Sequence, residues 1–483
     1  MRYKEYVRLT ELLSLVKQGF GVLRREPGRD ELIGHISSSL QLIRTILGQE
    51  KERPERTLGV IDELEGIMRQ RETAAHLCEG LWHQVERCLE KEVEPKIKVV
   101  FLPYKAEMWD SLESVYFAAL KDDMCDVEVV PIPYYKLSDK GDDPCYEGDL
   151  FPEGIPITHY SAYDLATDRP EIVFVHNIYD QYNTLTRVFE EYHTYNLRKH
   201  TDMLVYVPYC LFSFLPPKPG TPRELIAYGL PSVANVDKVV LLGDYMAEAA
   251  IKFGVPRQKL LPLGSPKIDK LIALQQRGVH YPREWISKLS GRTVFLLDTC
   301  LFFFSKGPFL NKLELLIKLL NIPNYVDNSA LIWRPHPLLR TLIGQQVPWF
   351  LSYFDDLVCR IGNDEYSNAI FDDSPDYFPA LMAADVYVGN MTSLMNAYLV
   401  SGRPIMLLRS RLSDDSPVSP DAFYYFHDGD WVEVLRALAR GQDPNAGKRR
   451  GALEGIYSNV DGTSGQKIFE AVKEALLAST KHI

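Results

Sequence analysis

With 483 residues, 46% of them hydrophobic and 25% charged, the chain has the make-up of an ordinary folded protein, yet it exceeds the roughly 250 residues at which a single core stops growing. A formal net charge of -11 argues against broad electrostatic binding to nucleic acid, so anionic ligands must be held by a few placed cations. The seven cysteines lack CxxC spacing and exclude a zinc knuckle or a disulfide framework.

The first stretch carries Arg2, Lys4, Glu5, Arg8 and Glu11 within its apolar pattern, unlike a signal peptide. No apolar run in the chain reaches the ~20 residues that span a bilayer. A cytoplasmic location is expected. Residues 1–95 read as helical, with Leu9, Leu12, Leu13 and Val16, then Ile33, Ile36, Leu40 and Ile43, then Leu64, Ile67 and Leu81 to Leu89 at helical spacing. Breaks fall at Pro27 to Arg29 and at Pro54.

From residue 96 to 285 the pattern changes to short apolar strands alternating with helices. The strands are Lys98 to Leu102, Val127 to Pro131, Ile172 to His176, Met203 to Val207 and Lys238 to Leu242; helices are predicted over Trp109 to Leu120, Thr184 to Tyr195 and Asp244 to Phe253. The proline-dense segment Leu211 to Glu224 reads as a surface loop or a lid. A second series fills residues 286–483, with strands at Thr293 to Leu297, Ala330 to Trp333, Ala369 to Phe371, Val386 to Val388 and Pro404 to Leu408. Its helices are Leu310 to Leu320, Asp376 to Ala384, Ser393 to Ser401 and a last one, Gly465 to Leu477, that crosses back to the first lobe. Fully apolar strands between helices imply parallel sheets covered on both faces. The fold class is therefore α/β, two Rossmann-like doubly wound domains with an N-terminal helical module and a crevice between the strand ends.

Candidate chemistry gathers at those strand ends. In Leu331-Ile-Trp-Arg-Pro-His-Pro337 two prolines hold the chain extended after the strand. This sets Arg334 and His336 to meet phosphate oxygens, unless His336 only caps the turn. In Val388-Gly-Asn-Met-Thr-Ser393 a strand passes through a small polar turn into a helix, whose exposed N–H groups with Thr392 and Ser393 suit an anion or form a plain cap. Asp372, Asp373 and Asp376 could ligate a metal but read better as an acidic solvated loop or a helix N-cap. His176 after its strand is either a general base for an acceptor hydroxyl or a satisfied core histidine. Lys267 in Gly264-Ser-Pro-Lys-Ile-Asp269 can reach an anionic ligand, and Lys105, Trp109 and Asp110 lie near the same edge. GxGxxG, Walker, HExxH and GxSxG motifs are absent.

At Gly264-Ser-Pro-Lys-Ile-Asp269, Arg334-Pro-His-Pro337, Ala384 to Met395 and Gly402-Arg-Pro404 the chain resembles the CDP-glycerol glycerophosphotransferase family, the teichoic-acid polymerases and their relatives, over residues 97 to 440. The resemblance implies a GT-B fold and transfer of glycerol phosphate from CDP-glycerol, or a similar nucleotide-activated donor, to a hydroxyl of a polyol, glycan or lipid-linked acceptor. It implies no cofactor and no metal, allows peripheral association with the inner face of the membrane, and makes Arg334, His336, Asn390, Thr392, Ser393 and Lys267 the donor-binding set, with His336 catalytic and His176 a substitute for the family's N-terminal-lobe base. The chain departs from the family at Lys267 (Arg there), at Asn390 (acidic there) and in lacking a Trp-His-Gly motif. A GT-B glycosyltransferase using a nucleotide sugar, and a non-catalytic scaffold, stay open as alternatives.

Overall fold

The computed structural model describes residues 1–26, 30–69, 75–138, 141–212, 229–305, 307–366, 368–414 and 416–480. The proline-dense segment read as a loop or lid lies for the most part outside the described residues.

Four helices, Tyr3–Leu23, Asp30–Gly48, Glu55–Met68 and Ala75–Glu92, open the chain. They bury their own apolar stripes, including Phe20, Leu40, Ile43, Ile61 and Leu64, around Trp82, whose ring lies 5.9 Å from that of Phe20. Backbone pairing ties the module to the first lobe: Tyr3 N–H donates to the Lys96 carbonyl and Lys96 N–H to the Met1 carbonyl, each at 2.8 Å. Arg2 adds a salt bridge to buried Glu171 at 2.8 Å.

The first lobe is built on β1 (Ile97–Leu102), β2 (Cys125–Val129), β5 (Ile172–Val175), β7 (Met203–Tyr206), β8 (Lys238–Val240) and β9 (Leu260–Leu261). They form a wholly parallel sheet in the order β2-β1-β5-β7-β8-β9. Strands β3 (Tyr134–Lys136), β4 (Asp143–Cys145) and β6 (Thr186–Val188) make a separate antiparallel ribbon. The expected helix over Thr184 to Tyr195 is thereby corrected. Asn183 Oδ1 accepts from the N–H groups of Leu185 and Thr186, a turn that starts a strand, and β6 then pairs with β3.

The second lobe repeats the plan with β10 (Thr293–Thr299), β11 (Ser329–Pro335), β12 (Ala369–Phe371), β13 (Val386–Gly389), β14 (Ile405–Leu407) and β15 (Tyr424–Tyr425) in the parallel order β12-β11-β10-β13-β14-β15. In order of appearance this is 3-2-1-4-5-6, the doubly wound order whose direction reverses between the first and fourth strands. β10 and β13 flank that switch point, and β1 and β5 flank the one in the first sheet.

The two lobes share one apolar cluster, in which Val175 and Leu204 of the first belong with Leu296, Ile332 and Tyr387 of the second. The helix Ser464–Thr480 returns to the first lobe, where Ile468, Phe469, Val472 and Leu476 join Val99, Val115 and Tyr116. Asp269 holds its N-terminus, accepting from the N–H groups of Ser464 at 3.0 Å and Gly465 at 2.7 Å and from the Ser114 hydroxyl at 2.7 Å. No helix among the described residues is long and apolar enough to cross a membrane.

Candidate active site at the interlobe crevice

On the second-lobe edge, a residue in register with Gly389 at the switch point is one that motif and spacing do not single out. Asp298, the penultimate residue of β10, is 3% exposed and accepts hydrogen bonds from the Tyr387 and Thr392 hydroxyls. The Tyr387 hydroxyl is also placed against the Asn390 carbonyl at 2.9 Å. A Cβ on Gly389 would stand 2.7 Å from the Asp298 carbonyl oxygen and 2.9 Å from the Tyr387 hydroxyl, so only glycine lets the turn close over this knot. The one signal for Asp298 in the sequence is that it is the acidic residue of an otherwise apolar strand.

Burial pushes the Asp298 carboxyl up to about 6, while the Thr392 and Tyr387 hydroxyls and the Arg334 charge act to lower it. A folded pKa above the unfolded value means that the stability added by the protonated form is fully present below about 3.8 and is lost as pH rises through about 6. Asp298→Asn removes that titration. The unfolding free energy of wild type relative to the variant should fall by about 2 kcal/mol between about pH 4 and about pH 7, read from urea denaturation; a pH-independent difference would contradict it.

The predicted donor-site residues take up different tasks. Thr392 is the N-cap of the helix Ser393–Leu399, accepting from Met395 N–H at 3.2 Å. Its hydroxyl proton goes to Asp298, so its hydrogen bonds serve the turn. Asn390 accepts from Cys300 N–H at 3.5 Å, tying the turn to the loop after β10. Ser393 is exposed at the first helical position. His336 is half-buried just past the end of β11. Its Nδ1 accepts from Leu338 N–H at 3.1 Å, its own N–H donates to the Thr299 carbonyl at 2.9 Å, and burial holds its pKa below the usual histidine value. The neutral ring therefore carries its proton on Nε2.

Arg334 is 6% exposed, and its guanidinium is engaged within its own lobe. One nitrogen pairs with Asp372 and lies 3.3 Å from the Ser374 hydroxyl; the other reaches the Ser374 carbonyl at 2.6 Å. Asp372, weighed above as part of an acidic loop, is thus the counter-ion of Arg334. In this structure a loop of its own lobe supplies the oxygens that the Arg334 guanidinium meets.

On the first-lobe edge, His176 is fully buried, and its Nε2 accepts from Tyr104 N–H at 3.1 Å. Its Nδ1 lies 3.1 Å from the Ser111 hydroxyl, which itself donates to the Met108 carbonyl at 2.7 Å. The Ser111 oxygen is then the acceptor and Nδ1 carries the proton. Burial, with the Lys267 charge adding to it, drives the pKa of His176 down to about 3, against a bond to the Met108 carbonyl that raises it. In this structure His176 is buried with both ring nitrogens engaged, and it ties the segment after β1 to the one after β5. His176→Ala should cost about 2–4 kcal/mol through the orphaned Tyr104 N–H and the cavity left behind, seen as a lower urea midpoint; a wild-type midpoint would refute this role.

Lys267, 8% exposed, holds both carboxylate oxygens of Asp110 at 2.5 and 2.6 Å. Tyr377 of the second lobe donates to the same carboxylate at 2.9 Å and lays its ring 5.3 Å from the Lys267 ammonium. Asn396 makes a second cross-lobe contact, donating to the carbonyls of Leu211 and Phe212 at 3.2 and 2.8 Å. The C-terminal ends of the two sheets thus face one another, with Asp110, His176 and Lys267 on one side and Asp298, Arg334, His336 and the turn at Gly389 on the other.

This pairing of facing doubly wound sheets recurs in solved structures. A variant of the wall teichoic acid polymerase TagF matches with a TM-score of 0.51 at 14% sequence identity, over 88% of this chain and 98% of that one. A putative UDP-N-acetylglucosamine 2-epimerase from Listeria monocytogenes also gives 0.51, at 13% identity, over 79% and 97%. The fold is GT-B. No protein-family model matches the chain, and no curated protein sequence does. In GT-B terms, Asp298 and the Gly389 turn lie at the topological switch point of the second lobe, where open α/β sheets take their ligands.

Proposed function

We propose that the protein is a transferase that moves glycerol phosphate, or a closely related phosphate-linked group, from a CDP-linked donor to a hydroxyl acceptor in the building of a cell-envelope or surface polymer. The observation that carries this reading is His336. It follows the strand next to the switch point, with Nδ1 occupied by Leu338 N–H and the ring proton on Nε2, a neutral donor suited to a phosphate oxygen. In this reading His336 and Ser393 meet the donor's phosphates, Thr392 and Asn390 shape the turn that receives them, and Arg334 and Lys267 are the cations of the two crevice edges.

The acceptor oxygen attacks the phosphorus that bears glycerol, the bond to the bridging oxygen breaks, and CMP leaves with that oxygen. The hydroxyl proton passes to solvent. Positioning and charge neutralisation supply the catalysis. His336→Ala should lower kcat/KM about 100-fold with the fold retained.

A second reading has its own support, because the UDP-N-acetylglucosamine 2-epimerase structure matches as well as the polymerase. Nucleotide-sugar chemistry, including glycosyl transfer, fits the same crevice. Incubation with CDP-glycerol and with UDP-linked sugars separates them: CMP release supports the proposal, UDP release supports glycosyl transfer, and sugar interconversion without release supports epimerisation. Calorimetry showing no binding of any CDP- or UDP-linked donor would overturn both and leave a scaffold role.

A further inference from the structure

Arg334 and Lys267, the buried cations that flank the crevice, are both neutralised by carboxylates, and one short loop joins the two ion pairs. At its base, Arg334 pairs with Asp372, lies 3.3 Å from the Ser374 hydroxyl and donates to the Ser374 carbonyl at 2.6 Å. Inside the loop, Ser374 N–H donates to Asp372 at 3.1 Å and its hydroxyl reaches the Asp376 carbonyl at 2.9 Å. At its tip, Tyr377 crosses to the first lobe and donates to Asp110, which Lys267 holds by both oxygens. Contacts therefore run without a gap from Arg334 through residues 372–377 to Lys267.

We propose that this loop is an interlobe brace, and that a phosphate-bearing ligand releases it by taking Arg334 and Lys267 from Asp372 and Asp110. Carboxylate and phosphate oxygens compete for the same N–H donors, and these two carboxylates occupy them. Once Lys267 turns to a phosphate, Asp110 is left at the interface with the phenol alone, and Tyr377 loses the cation its ring faces. Release is local to the loop, because the apolar cluster shared by the lobes, Val175 and Leu204 with Leu296 and Ile332, holds them together. The ligand class rests on the reading above, whereas the brace itself does not.

Hydrogen exchange of the full chain, followed by mass spectrometry on peptides covering 372–377, with inorganic pyrophosphate as the probe, tests this. Pyrophosphate should speed exchange there about fivefold in wild type, and Tyr377→Phe should do so without ligand, after which pyrophosphate adds less than about twofold. Asp110→Ala, which removes the acceptor that Tyr377 uses, should repeat the Tyr377→Phe result if that variant folds poorly. Unchanged or slowed exchange with pyrophosphate, absence of pyrophosphate binding, or a Tyr377→Phe loop that exchanges like wild type would each overturn the proposal. Turnover of CDP-glycerol without an exchange response would sink the brace and keep the transferase; an exchange response without turnover of any donor would do the reverse.

Discussion

Gly264→Ala is expected to lower the unfolding free energy by about 3 kcal/mol or more, among the largest losses from one added methyl group in this chain. Gly264 has φ of +90°, a conformation that L side chains rarely adopt. An added Cβ would also stand 2.3 Å from the Ser458 carbonyl oxygen and 2.5 Å from the Ser464 hydroxyl. Ser458 lies in the stretch that leads into the last helix and Ser464 is the first residue of that helix, so the damage should spread from the turn to its docking. Chemical denaturation gives the number, and a wild-type midpoint would show that the linker yields freely. Gly254→Ala separates the two causes, since it has φ of +89° with nothing within 4 Å of its Cβ. It should show the backbone cost alone.

Asp110→Ala should cost about 3–5 kcal/mol, the usual penalty for leaving a buried cation without its partner. Lys267 and Asp110 have side chains 11% and 8% exposed, and the lost carboxylate also strands the Tyr377 hydroxyl. Asp110→Asn, which keeps an acceptor oxygen for Tyr377, should cost less. The exposed pair of Arg340 and Asp355, 60% and 42% accessible, provides the contrast: Asp355→Ala should leave the midpoint unchanged within error, because solvent screens the pair. Equal losses from Asp110→Ala and Asp355→Ala would remove the argument from burial.

Much of the architecture is written in local pattern. The strand ending at Trp333 and Arg334 and the one ending at Gly389 are legible because apolar, largely β-branched or aromatic runs covered on both faces look like little else, and the polar residues that follow them mark the crevice edge. The ribbon strand Thr186–Val188 was not legible, since Leu185, Val188 and Phe189 also suit a helix and the deciding partner is Tyr134 to Lys136, some fifty residues earlier. The site residues divide in the same way. Their positions at strand ends follow from the chain, but their partners do not. Arg334 finds Asp372 across 38 positions, His176 finds Tyr104 across 72, and Lys267 finds Asp110 across 157. A residue type declares what it can bind, and only the fold declares whether that capacity is already spent.

The cap that Asp269 places on the last helix bears on how the protein is made. Asp269 and Ser464 are 195 positions apart, so at ordinary rates of translation roughly 10–40 s separate the two on the ribosome. Throughout that interval the first lobe has every strand of its sheet, but the face formed by Val115 and Tyr116 lacks the covering that Ile468, Val472 and Leu476 later provide. A half-made chain therefore shows an apolar surface to solvent while the whole second lobe is being synthesised. Its yield in a cell should depend on holdase chaperones, and stalled or prematurely ended chains should aggregate through that face.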